Sequence, residues 1–132
     1  MKRILLAIDS SDHAQRATGV AEDIAKMGGG ELIVFHAHEE GIASPMESRK
    51  QAEDLVNGVV SELAKGRVNV RGEAKGTHSG RAPQEIIEAA KSDSVDMIVL
   101  GSRGLSDFAG LLMGSVAHKV IHHAECPVLV VK

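Results

Sequence analysis

Short apolar runs alternate with helical patterns along the whole chain. The runs have strand length and no helical spacing, whereas the stretches between them repeat apolar residues every three or four positions. The predicted strands are 2–8, 32–37, 68–74, 96–100 and 128–131, and the predicted helices are 13–27, about 48–66, one after Pro83 that ends before Ser92, and about 115–123. Such alternation predicts right-handed crossovers and an open parallel sheet with helices on both faces, an α/β fold.

Length and charge limit the function classes. A chain of 132 residues with 43% hydrophobic and 25% charged residues is predicted to form one domain, 1–132. The formal net charge is −3, and the Phe, Trp and Tyr residues are Phe35 and Phe108 alone. Without a basic footprint or an aromatic platform, nucleic-acid binding is not expected.

Neither end of the sequence indicates export or a redox centre. The apolar run from Ile4 to Ile8 is too short for a signal peptide or a membrane span, so we expect a cytoplasmic protein without a membrane partner. Cys126 is the single cysteine, which excludes an internal disulfide. We interpret it as a small buried residue beside Pro127.

A glycine motif follows the fourth predicted strand. Gly101 and Gly104 come directly after the strand, and Gly114 and Ser115 open the next predicted helix. A helix N-terminus has unpaired amides and a positive dipole, and glycines permit close approach, so the motif favours phosphate binding. Glycines that only form turns are the alternative. The loops typical of P-loop enzymes and of dinucleotide-binding folds are absent.

The first and fourth predicted strands end in residues that suit a ligand site. Ligands of open parallel sheets bind beyond the carboxyl ends of strands, where the strand order reverses. A reversal between these strands would bring Asp9 opposite Gly101. Asp9 is also a candidate N-cap of the first helix, and we prefer the ligand role because of its position at a strand end.

The chain resembles the single-domain, nucleotide-binding branch of the universal stress protein family. Its G-x2-G-x9-G-[ST] pattern is matched in full, and the resemblance extends to 4–9, 35–37 and 126–131. It implies a Rossmann-like fold with four helices and a five-stranded parallel sheet in the order 3-2-1-4-5. It also implies a homodimer paired through strand 128–131, and bound ATP, AMP or ADP with Mg²⁺ or Mn²⁺.

The resemblance also implies roles for individual residues. Asp9 would contact adenine or ribose, Ala7 and Ala37 would form part of the adenine wall, Gly101, Arg103 and Gly104 would pass beneath the ribose and phosphates, and Gly114, Ser115 and Val116 would donate hydrogen bonds to phosphate. Family members often carry Pro and Val in place of Ala7 and Ala37, which implies a wider adenine slot here.

Several weaker signals lie outside this motif. His118, His122 and Cys126 have helical spacing, but a fourth zinc ligand is missing and Cys126 falls beyond the predicted helix, so we interpret a solvated histidine pair. We expect His36 and His38 to support the pocket by packing, and 38–48 to form a mobile loop. Residues 111–113 are predicted to close over the nucleotide or to pack on a partner chain.

The sequence favours a nucleotide-dependent stress or signalling module with little or slow hydrolysis. Fast ATP hydrolysis needs a positioned base and a metal cage, and no carboxylate is evident near the phosphate end. The alternatives are a slow ATPase or nucleotidyl hydrolase of a related α/β type, and a dimeric adaptor that binds no nucleotide.

Overall fold

A computed structural model describes residues 2–9, 11–40, 49–104 and 113–132. Strands and helices alternate in the predicted order. The elements are β1 (Arg3–Ala7), α1 (Asp12–Gly28), β2 (Glu31–Glu40), α2 (Arg49–Lys65), β3 (Asn69–His78), α3 (Ala82–Ser92), β4 (Met97–Gly101), α4 (Ser115–His123) and β5 (Val128–Val131).

The strands form one parallel sheet in the order β3-β2-β1-β4-β5. Both the predicted α/β fold and the strand order are therefore confirmed. β1 lies at the centre, where its buried residues pair with β2 on one side and β4 on the other. The order of strand addition reverses between β1 and β4, because β2 and β3 are added on one side of β1 and β4 and β5 on the other.

Alternate residues of the strands bury against opposite faces. In β1, Ile4 and Leu6 belong to one apolar cluster, which includes the inner residues of α1 and α2. Leu5 and Ala7 belong to the other, which includes those of α3 and α4. Because side chains of a strand alternate in direction, both faces of the sheet are covered, as a parallel sheet requires.

Alanines let α1 pack closely on the sheet. Its buried residues are Ala14, Ala17, Ala21 and Ala25. The helix ends where predicted, because Gly29 adopts the left-handed conformation (φ 67°) and its amide donates to the Ala25 carbonyl. Glycine reaches positive φ without the steric cost of a Cβ, so this position stops the helix cleanly.

β2 and β3 extend further than the sequence indicated, to Glu40 and His78. β2 continues to Glu40 and pairs with β3 residue for residue, so the expected loop was wrong at positions 38–40. His38 has an exposed fraction of only 3% and pairs laterally with Gly76. The sequence did not predict this extension because residues 38–40 are polar, and they form a strand only through pairing with β3. The rest of the expected loop, 41–48, lies outside the described residues, and so does the Ser48 end of the predicted capping box.

The other boundary predictions hold within a few residues. β3 is an edge strand, as its polar sequence indicated. Across the described segments, no helix is both long enough and apolar enough to cross a bilayer.

Candidate functional site

The site lies at the carboxyl edge of β1 and β4. Ala7 and Leu100, near the ends of these strands, are direct lateral partners. α1 follows β1 and packs on one face of the sheet, whereas α4 follows β4 and packs on the other. Two chain segments therefore leave neighbouring strands in opposite directions, which creates a crevice between them.

Gly101 lies at this edge, where the first turn of α1 packs closely against it. A Cβ built on Gly101 would lie 2.7 Å from His13 Cβ, 2.8 Å from His13 C and 3.0 Å from His13 O. Two of these atoms are backbone and cannot rotate away. Gly101 is thus required by the packing of α1 on β4, independently of any ligand.

Arg103 extends this contact between the two segments. Its Nε lies 3.4 Å and its Nη2 3.2 Å from His13 Nε2. A guanidinium has only donors, so the ring nitrogen accepts. Arg103 and Gly104 are both half-buried. A permanent positive charge is therefore held at the edge, next to the start of α1.

The start of α4 is tied to the end of β4 through the backbone. The Gly114 N–H donates to the Ser102 carbonyl at 2.6 Å, and Ser102 N–H donates to Val131 O at 2.7 Å. The amide of Gly114 is therefore engaged within the protein in this conformation, and its donation to phosphate stays a prediction. The helical ladder begins with His118 N–H donating to the Gly114 carbonyl, so Ser115 and Val116 lie in the first turn.

Protein oxygens fill the N-terminus of α1. Ser11 is its N-cap, and the Ser11 Oγ accepts from Ala14 N–H at 3.1 Å. Asp9 Oδ1 accepts from Ser11 N–H at 2.9 Å, and Asp12 adds a further carboxylate in the first turn. The alternative of Asp9 as N-cap is thus wrong, because Ser11 holds that position. Asp9 is half-buried at the end of β1.

Carboxylates also fill the N-terminus of α3. Glu39 Oε2 accepts from Gly80 N–H at 2.8 Å, and Oε1 accepts from Ala82 N–H at 3.1 Å. Glu85 is buried and accepts from the Thr77 hydroxyl at 3.0 Å, while its Oε2 lies 3.1 Å from Lys75 Nζ. Burial opposes the charged form of Glu85, but hydrogen bonds from Lys75 and Thr77 and the positive charges of Lys75 and Arg81 prevail, so its pKa lies below the usual range.

α4 differs from α1 and α3 at its N-terminus. Its N-cap is Gly114, without a side-chain hydrogen bond, and its first turn contains no acidic residue. Ser115 is exposed and Val116 is half-buried. The first turn of α4 itself therefore supplies no carboxylate to its positive dipole end, and such a helix start suits an anion.

Small residues line the β1 and β2 side of the edge. Ala7 and Ala37 both belong to the sheet face covered by α3 and α4, and Ala37 is the more exposed. Next to them, His36 is buried with its Nδ1 2.7 Å from the Ile8 carbonyl, so it joins β2 to the end of β1. This supports the packing role predicted for His36.

Two groups of residues singled out in the sequence analysis are considered separately from this edge: the possible zinc ligands and the predicted closing segment. Within the described ranges, no three His, Cys, Asp or Glu residues form a group suited to a metal ion, so His118, His122 and Cys126 do not assemble a zinc site together. Cys126 instead contributes to a cavity of about 220 Å³ between the C-terminal ends of α3 and α4. Burial raises the pKa of its thiol. Of the predicted closing segment, Met113 is exposed, and 111–112 lie outside the described residues.

Sequence reasoning missed two residues that shape the edge. His13 contacts both Gly101 and Arg103, and Glu39 occupies the start of α3. A usable signal existed for His13, since it lies two residues after the N-cap and must therefore stand at the carboxyl edge. None existed for Glu39, because its role depends on the unexpected extension of β2.

Fold and site together define a class: a doubly wound parallel α/β protein with a glycine-capped helix start at its topological switch point. A family model described as the universal stress protein family matches residues 1–132. The chain belongs to the universal stress protein family.

Individual relatives agree with this assignment. A universal stress protein of Thermus aquaticus, from the QAH/OAS sulfhydrylase 3′ region, is 38% identical, and the alignment covers 99% of this chain and 98% of the relative. The solved structure of protein MJ0577 of Methanocaldococcus jannaschii has a TM-score of 0.84 at 25% identity and covers 99% of this chain and 95% of that one.

Among the similar structures is a complex with an adenine nucleotide. The universal stress protein of Archaeoglobus fulgidus was solved in complex with dAMP, and it has a TM-score of 0.80 at 26% identity, covering 100% of this chain and 98% of that chain.

Proposed function

We propose that this chain binds an adenine nucleotide at the edge between β1 and β4, with the phosphates at the N-terminus of α4, and acts as a nucleotide-dependent stress or signalling module. The observation that carries the proposal is the contrast among helix starts. The Ser11 hydroxyl caps α1, which has Asp12 in its first turn, and Glu39 binds amides at the start of α3, whereas α4 has neither a side-chain cap nor an acidic residue in its first turn. An anion gains most where no protein carboxylate competes for the dipole.

The proposed contacts divide into a base end and a phosphate end. At the base end, Ala7 and Ala37 form part of the adenine wall and Asp9 binds adenine or ribose. At the phosphate end, Arg103 supplies positive charge while Ser115 and Val116 donate hydrogen bonds. Gly101 and Gly104 let the chain pass beneath the ligand, and Gly114 shapes the turn into α4.

Kinship supports the choice of ligand class. The Archaeoglobus fulgidus relative binds dAMP, which has an adenine base and one phosphate. The same chemistry fits the small apolar wall and the open helix start of this chain. ATP, ADP and AMP share the base and differ in the length of the phosphate tail, so all three are candidates.

The site favours binding over rapid turnover. The first turn of α4 contains no acidic residue, and the described residues contain no group of three metal-ligating side chains. Mg²⁺ is usually held through one or two carboxylates together with substrate phosphates, so a metal here would be held mainly by the nucleotide. We assign no catalytic residue, and hydrolysis would be slow.

Nucleotide release and titration test the proposal. We expect mass spectrometry of the denatured, purified protein to detect an adenine nucleotide, or the nucleotide-free protein to bind AMP, ADP or ATP in calorimetry. Ligand at about 100 times its Kd stabilises a protein by about 2.7 kcal/mol, so the Tm should rise measurably. GTP serves as the control for base recognition. A protein that carries no nucleotide and shows no shift with any adenine nucleotide would favour the adaptor function instead.

We further propose a homodimer paired through β5. This strand lies at the sheet edge, and all four of its residues are apolar and only partly buried. The β4 amides of Ile98 and Ser102 donate to the carbonyls of Pro127 and Val131. In a parallel ladder the alternate residues face the other way, so the backbone groups of Val128 and Val130 face outward. An unpaired apolar edge is a template for another strand.

A proline at Val130 should separate dimerisation from folding. Val130→Pro removes an outward N–H that a partner strand would use, and it leaves the β4 ladder intact. We expect a dimer of the native protein at micromolar concentration in light scattering and a monomer of Val130→Pro, with similar unfolding curves. Leu129→Pro is the matched control, since it removes an amide that faces β4 and should lower stability. A Val130→Pro protein that stays dimeric would contradict pairing through this edge.

A further inference from the structure

Two exposed histidines lie on one face of α4. His118 and His122 are separated by four residues within the helix, and both are exposed. Residues four apart on a helix are neighbours on its surface. This pair is not part of the proposed nucleotide site, and the function proposed above does not use it.

The spacing of the rings matches that of two ligands on one ion. Their centroids lie 4.5 Å apart, with an angle of 61° between the ring planes. For a metal–nitrogen bond of about 2.1 Å and a ring nitrogen about 1.2 Å from its centroid, two imidazoles at a right angle on one metal have centroids about 4.6 Å apart, against about 5.3 Å at a tetrahedral angle. The observed separation agrees with adjacent positions of a square-planar or tetragonal site.

Small ring rotations would turn both nitrogens toward one ion. The rings now meet edge to face, and the final ring torsion of histidine has broad preferences. Exposure of both side chains leaves room for this rotation. His122 also lies in the last turn of α4, where the negative end of the helix dipole favours a cation.

The neighbouring side chains limit the site to two protein ligands. Among the described residues, no third His, Cys, Asp or Glu completes a metal-binding group with the pair. His123 is the nearest further ring with a recorded contact, and its centroid lies 6.5 Å from that of His122. Water would therefore occupy the remaining positions of a bound ion.

We propose that His118 and His122 form a two-histidine site for a divalent transition metal, with Cu²⁺ bound more tightly than Ni²⁺ and Zn²⁺. Imidazole suits these ions, and affinity for a given nitrogen site rises to Cu²⁺. The right-angle spacing agrees with the geometry that Cu²⁺ and Ni²⁺ prefer. Mg²⁺ and Ca²⁺ prefer oxygen ligands and should not compete.

Titration of the nucleotide-free protein with Cu²⁺ tests this site. We expect one high-affinity Cu²⁺ whose electron paramagnetic resonance spectrum shows coupling to two imidazole nitrogens. His122→Ala and His118→Gln should each weaken that affinity by about 100-fold. With two histidines, the second ring binds the ion at a high effective concentration, and a single histidine lacks this gain. Both positions are exposed, so circular dichroism should report an unchanged fold.

His123→Ala is the matched control, since it removes an adjacent exposed imidazole from the same helix. It should keep the affinity and the two-nitrogen spectrum. Equal affinity of the native and His122→Ala proteins would overturn the proposal, and so would a loss with His123→Ala as large as that with His122→Ala. Because the assay contains no nucleotide, failure of the nucleotide proposal would leave this result unaffected.

Discussion

Ser115→Asp is expected to weaken adenine nucleotide binding by at least about 100-fold. The substitution places a carboxylate in the first turn of α4, where the proposed phosphates bind. Two unit charges about 4 Å apart interact by about 4 kcal/mol near a protein surface, and this repulsion exceeds the 2.7 kcal/mol that corresponds to 100-fold. The new carboxylate would also occupy the dipole that the phosphate would otherwise use. Calorimetry with ATP and AMP measures the effect.

The same change should not harm the fold. Ser115 is exposed, and an acidic residue in the first turn stabilises a helix by a few tenths of a kcal/mol. Ser61→Asp is the matched control, because Ser61 is an exposed serine of α2 on the opposite face of the sheet. Its affinity for nucleotide should equal that of the native protein. Native affinity in Ser115→Asp would remove the phosphate end of the proposed site.

Gly101→Ala is expected to destabilise the protein by about 1–3 kcal/mol, the usual cost of overpacking. The new Cβ would lie 2.7 Å from His13 Cβ and 2.8 Å from His13 C, so β4 and the first turn of α1 must move apart. Urea denaturation measures the change in the free energy of unfolding, provided that the native and variant proteins have the same m-value.

A second glycine provides the comparison for this prediction. Gly58 is exposed on α2, and an added Cβ there meets nothing within 4 Å. Gly58→Ala should leave stability unchanged or raise it by up to about 1 kcal/mol, as expected for a helix interior. If Gly101→Ala weakened nucleotide binding without lowering stability, Gly101 would serve the ligand alone, and the packing role described here would be incorrect.

The predictions that succeeded rest on local pattern. Apolar spacing identifies α1 and α4 because a helix forms between residues that are close in the sequence. Gly29 ends α1 because glycine adopts the left-handed conformation without a partner elsewhere in the chain. The order of the strands came from a family resemblance, and the structure confirms it. The metal expected with the nucleotide stays a prediction.

The predictions that failed depend on distant partners. β2 extends through His38 to Glu40 because β3 pairs with it, although its sequence turns polar. Glu39 then reaches the amides of Gly80 and Ala82, more than forty positions along the chain. The amide of Gly114 is engaged by Ser102, a bond that no spacing rule indicates.

The sequence by itself determined the alternation of strands and helices and the position of the glycine motif, because hydrophobic periodicity and backbone freedom are properties of short segments. Only the tertiary structure decided how the start of α3 is occupied. Glu39 binds the amides of Gly80 and Ala82 there because β2 pairs with β3 as far as Glu40, and this pairing joins residues far apart in the chain.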